Sequence, residues 1–100
     1  DWNQTPPGFD WFRMNPTVRT TQLPFAIGFE FMPTGWQYAF DPSVASNRSS
    51  AAPYDRFKAR RKVIDFFLLS PNLRVKEVRG IEQEFRYSDH QPVYVEVELL

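Results

Sequence analysis

The chain contains a single histidine, His90, and it stands beside a carboxylate in Ser88-Asp89-His90-Gln91-Pro92. Side chains on consecutive residues of an extended backbone point to opposite sides unless a turn re-aims them. With a rigid proline and a strand start following at once, the pentapeptide either builds a site or forms a solvated loop in which Asp89 caps a turn. A second carboxylate, Asp65, lies inside the most apolar run, Val63-Ile64-Asp65-Phe66-Phe67-Leu68-Leu69-Ser70. A carboxylate in a buried strand is costly unless it finds a hydrogen-bonding or charged partner. Two solutions are open to it: His90, or Arg60 or Arg61 at the strand's wet end. Arg56, Lys58, Arg60, Arg61 and Lys62 form a basic cluster that could receive phosphate groups or serve as a solvated edge.

These residues need a scaffold, and the sequence bounds what it can be. One hundred residues make at most one domain, and ten Phe, three Trp and four Tyr supply ample material for its interior. Twelve basic and twelve acidic residues cancel, so no net field argues for nucleic acid or an anionic membrane. The absence of cysteine excludes disulfides, thiolate metal sites and cysteine nucleophiles. No apolar run approaches a membrane span. Because Asp1-Trp2-Asn3 carries neither methionine nor a signal pattern, the native N-terminus is expected upstream, and the compartment is not legible.

In chain order, residues 1–8 with Pro6 and Pro7 read as a loop. Residues 9–14 read as a short helix with Phe9 and Phe12 on one face, ended by Asn15-Pro16. Ile27–Phe31 reads as a short strand before a turn at Pro33-Thr34-Gly35. Trp36–Phe40 alternates like a half-buried strand. Residues 41–54 shift to Pro, Ser, Ala and Asn and read as a long surface loop. Residues 63–70 read as a buried strand, 73–85 as a strand with a bulge at Gly80, and Val93–Leu99 as the final strand.

Three motifs, in order and spacing, resemble the endonuclease/exonuclease/phosphatase superfamily, the DNase I-like phosphoesterases. Asp1-Trp2-Asn3 is similar to its D-x-N, Arg61-Lys62-Val63-Ile64-Asp65-Phe66-Phe67-Leu68-Leu69-Ser70 to its basic, I/L-D-aromatic-aromatic strand, and Ser88-Asp89-His90-Gln91-Pro92-Val93 to its S-D-H-x-P-V. The resemblance implies an α+β fold, a four-layer sandwich of two packed, mostly antiparallel sheets flanked by helices, of which residues 1–100 would be the β-rich C-terminal half. It implies metal-dependent hydrolysis of phosphate esters, with Mg2+ or Mn2+ as cofactor. Asp1 would orient or deprotonate the attacking water, Asn3 would bind phosphoryl oxygens, Asp89 would bind the metal, and His90 would face the scissile phosphate with its ring fixed by Asp65. Arg60 and Arg61 would hold substrate. Substrates implied are nucleic acid, inositol phosphates or phospholipid head groups. An N-terminal half would supply the remaining ligands, and a second copy could cover the exposed sheet face in its place. The alternative is a non-catalytic β-rich binding module that docks partners through Trp36, Tyr38 and the basic cluster.

Overall fold

The computed structural model describes residues 1–20 and 22–100. They form a small β-rich domain with one short α-helix, α1 (Trp11–Met14), and six strands: β1 (Gln37–Ala39), β2 (Asn47–Arg48), β3 (Arg61–Lys62), β4 (Phe67–Leu69), β5 (Leu73–Gly80) and β6 (Val93–Leu99). Among the described residues no helix is long and apolar enough to cross a membrane. The strands pair as three separate antiparallel ribbons, β1 with β4, β2 with β3, and β5 with β6. Two packed sheets flanked by helices, the architecture expected from the motifs, are not formed by these residues.

Asp10 starts α1 by accepting from the Arg13 backbone N–H at 3.1 Å, and the pre-proline residue Asn15 ends it outside the helical region. Its buried residues are Trp11 and Met14, three apart on one face, whereas Phe12 is 65% exposed. The face expected from Phe9 and Phe12 is thus corrected: one turn of helix buries i and i+3, and those positions are Trp11 and Met14. Asn15, itself buried, locks α1 to β3 by donating from Nδ2 to the Arg61 carbonyl at 2.8 Å and accepting from the Arg61 N–H at 2.8 Å.

The strand expected over residues 27–31 is instead a bridge followed by a 3₁₀ turn at Phe29–Phe31. Ala26 bridges Thr5, with Thr5 N–H donating to Phe25 O and Ile27 N–H to Thr5 O, both at 2.9 Å. Pro6 and Pro7 carry no N–H, so this pairing cannot run past Thr5. The chain then turns at Pro33–Gly35, where Gly35 takes φ +80 and the Trp36 N–H closes on Pro33 O.

Residues 63–66 connect β3 to β4 without a sheet partner, yet Val63, Ile64 and Phe66 are buried. Val63 and Phe66 join Met14, Ala45 and Phe85 in the core, with Phe9, Ile27, Tyr38, Phe40 and Tyr54 packed around them. The long run 41–54 is not simply a surface loop: Ala45, Ser46 and Asn47 are buried, and β2 lies within it. In β5 the register slips between Val75 and Glu77, so the bulge sits near Lys76 and Gly80 closes the strand. The half-buried residues follow the slip, falling at 73 and 75 and then at 78 and 80.

Candidate functional site

His90 and Asp65 meet. Nδ1 of His90 lies 2.8 Å from Oδ2 of Asp65, across twenty-five residues of chain. Of the two partners open to Asp65, the histidine is the one in contact.

Each member of the pair is set by backbone bonds rather than by a long strand. Under Asp65 sits Ser46, which is fully buried and whose hydroxyl oxygen accepts from the N–H of Ile64 at 2.9 Å and of Asp65 at 3.0 Å. His90 is held on both sides. Its own N–H donates to Ser88 Oγ at 3.1 Å, and the next residue's N–H, that of Gln91, donates to Ser46 O at 2.8 Å. The buried Gln91 side chain then fastens three segments: Nε2 donates to Ala45 O and to Glu82, while Oε1 accepts from the N–H of Gln83 and Phe85. One serine backbone unit and its hydroxyl therefore serve both the Asp65 and the His90 segments.

The other ring nitrogen of His90 faces polar neighbours. Asn47 Nδ2 is 3.3 Å from Nε2 and donates to the Asp89 carbonyl at 3.0 Å. In the neutral ring with its proton on Nδ1 toward Asp65, Nε2 accepts from this amide; a protonated ring would require Asn47 to turn its oxygen inward. Asp1 Oδ2 lies 3.7 Å from Nε2, and the Asp1 main-chain nitrogen lies 3.4 Å from Asp65 Oδ1. Trp2 fastens this segment: its N–H donates to Ile64 O at 2.9 Å, its indole N–H to Phe66 O at 3.0 Å, and its ring stacks on Phe66 at 5.0 Å.

The remaining expected residues divide. Asp89 is half-buried beside His90, and its carboxylate makes no ion pair among the described residues. Asn3 is exposed at φ 54, its N–H turned back onto Asp1 Oδ1 at 2.9 Å, and its amide makes no hydrogen bond to the pair. Arg60 reaches an open cleft on the same side as Asn47 and Asp89, where Nη1 donates to Gln22 at 2.7 Å. Arg61 does not: its Nη2 donates to Met14 O at 2.7 Å, and it borders a different cavity with Tyr54, Glu82 and Glu84. Tyr38, named as a docking residue in the binding-module alternative, is packed edge-on against Trp2 and Phe66.

Among the described residues no group of three or more acidic, histidine or cysteine side chains could hold a metal ion. Asp89 is the one free carboxylate at His90, and its oxygen chemistry suits Mg2+, but one ligand is fewer than ordered binding requires. This donor set alone does not fit a metal centre.

Two positioning residues escaped the sequence reading, Ser46 and Asn47. Their only signal was the apolar pair Val44-Ala45 just before them, too short to register as a period. No protein-family model, curated protein or solved structure matches the chain.

Proposed function

We propose that this chain supplies part of the active site of a phosphate-ester hydrolase, as the C-terminal half of a DNase I-like domain with Mg2+ or Mn2+ as cofactor. The observation that carries the reading is the Asp65–His90 pair, 2.8 Å apart, with Nε2 on the side of Asp1 and Asn47. In this reading Asp65 orients the ring, the Asn47 amide turns from its place at Nε2, and a protonated Nε2 donates toward the phosphoryl group. Water attacks phosphorus, Asp1 takes its proton, the ester P–O bond breaks, and His90 protonates the leaving oxygen. Asp89 is this chain's contribution to the cation.

Surface chemistry supports the half-domain part of the proposal. Phe12, Phe25, Phe29, Phe31 and Phe57 are each more than 60% exposed, apolar surface that a covering partner would remove from water. A complementary segment or a second copy would cover it, and light scattering on the isolated chain should show association.

In the parent protein, Asp89→Asn and His90→Ala should each reduce phosphodiester hydrolysis by a factor of about 10² or more, with circular dichroism unchanged. Activity of both variants within a few-fold of the parent would remove the assignment. The isolated chain should be inactive at millimolar magnesium; cation-dependent cleavage by it, abolished by Asp89→Asn, would show that Asp89 needs no ligands from elsewhere.

A further inference from the structure

The β2–β3 ribbon sorts the basic cluster into two faces. Asn47 pairs with Lys62 and Arg48 with Arg61, and residues directly opposite share a face while successive residues alternate. Ser49 N–H donates to Arg60 O at 2.8 Å, continuing the pairing by one residue. Arg60 and Lys62 therefore belong to the face of Asn47, the residue in contact with His90. Arg48 and Arg61 belong to the other. Arg48, although it borders the cleft, holds its guanidinium 5.9 Å from the Tyr54 ring and donates to Ser49 O.

On the first face lies a cleft of about 520 Å³, bordered by Asn47, Arg60, Lys62, Asp89, Trp11 and Pro24. Arg60 and Lys62 are half-buried there, and neither pairs with a carboxylate among the described residues. Arg60 and Lys62 outnumber the one carboxylate that borders the cleft, Asp89, so its lining is net positive and poised for an anionic group. Asn47, which touches His90, and Asp89, its chain neighbour, both border this cleft, so the cleft lies next to the histidine.

We propose that the cleft binds a second phosphate group of the substrate, through Arg60 and Lys62, while the scissile phosphate faces His90. The substrate class is a small molecule bearing at least two phosphates. A volume near 520 Å³ is that of a small-ligand site, and the zero net charge of the chain supplies none of the extended field that holds a nucleic-acid strand. This rests on the phosphate-ester reading for the role of His90, but anion binding by the cleft can be measured without any turnover.

The experiment is titration calorimetry of the full chain with pyrophosphate at low salt. Arg60→Gln and Lys62→Gln should each weaken binding about fivefold or more and together abolish it, while Arg56→Gln, away from the cleft, leaves it unchanged. His90→Ala should retain binding through Arg60 and Lys62. No binding at millimolar pyrophosphate, or equal losses from Arg56→Gln and the cleft variants, would overturn the proposal. A thymidine tetranucleotide should compete poorly; displacement of pyrophosphate by it at lower concentration would overturn the small-molecule assignment. Absence of phosphodiesterase activity in the parent, with cleft binding intact, would remove the hydrolase reading and leave the anion site standing.

Discussion

The β5–β6 ribbon makes the longest ladder among the described residues, from Leu73↔Leu99 to Gly80↔Val93, and none of its residues is fully buried. Around His90 the relation is reversed. Ser46, Asn47, Ile64 and Gln91 lie in a two-residue strand or in none, yet all four are buried. Backbone groups removed from water must be paired somehow. The ribbon pairs its own with a neighbouring strand, while the site pairs its own with a serine hydroxyl, a glutamine amide and an indole. Regular hydrogen bonding and burial have separated in this molecule, and the residues that position Asp65 and His90 are on the irregular side.

Removing the serine hydroxyl is the most direct way to break this contrast. Ser46→Ala would leave the N–H groups of Ile64, buried, and Asp65, half-buried, without an acceptor, and each unsatisfied buried group costs ~1–3 kcal/mol. Urea unfolding should show a loss of ~2–4 kcal/mol. A loss below ~0.5 kcal/mol would mean that the hydroxyl is dispensable and that the site region is held otherwise.

Asp41 sharpens the contrast from the junction of the two regions, because its carboxylate accepts from the Gly80 N–H at 3.0 Å at the end of β5. Burial pushes its carboxyl up, but the bonds from the Ser43 hydroxyl and from the backbone of Ser43, Gly80 and Val44 outweigh that and hold it below its ordinary value of 3.8. A lowered folded-state value contributes stability that is present above the unfolded value and is lost as pH falls through the folded one. The domain should lose stability below about pH 3.8, and Asp41→Asn should flatten that decline while lowering stability at neutral pH. An unchanged slope of stability with pH in the variant would show that Asp41 does not tie β5 to the body.

The smallest effect belongs to the ribbon's surface. Arg74 and Glu98 pair across β5 and β6, both well exposed, and such pairs contribute between nothing and ~1 kcal/mol. Arg74→Ala should shift thermal unfolding by a few degrees at most. A shift as large as that of Ser46→Ala would erase the distinction between the two regions.

The same distinction explains what was legible in the sequence. Val93–Leu99 alternates and became β6 as expected, and Gln37–Ala39 formed inside the expected strand 36–40. Period-two patterning works where one face of a paired strand is half-covered. It fails at Ser46-Asn47, where two polar residues are buried because of what they bond rather than where they fall in a period. It also fails at Ile27–Phe31, which has strand-forming residues but only Thr5 as a neighbour before two prolines remove the donors. Asp65 and His90 were legible as a pair because an isolated carboxylate in an apolar run demands a partner, a demand independent of periodicity. Arg61 was not separable from Arg60 until the register put them on opposite faces.

The Ser46 hydroxyl also governs how the chain exchanges its amide protons with solvent. Exchange is usually slow where strands pair and fast between them. Here Ile64 and Asp65 lie between β3 and β4, outside every ladder, but both N–H groups end on an oxygen that water does not reach. In deuterium oxide these two amides should outlast those at the exposed far end of β6. A segment with no secondary structure, leading straight into the carboxylate that holds the histidine, would then be better protected than the end of a paired strand.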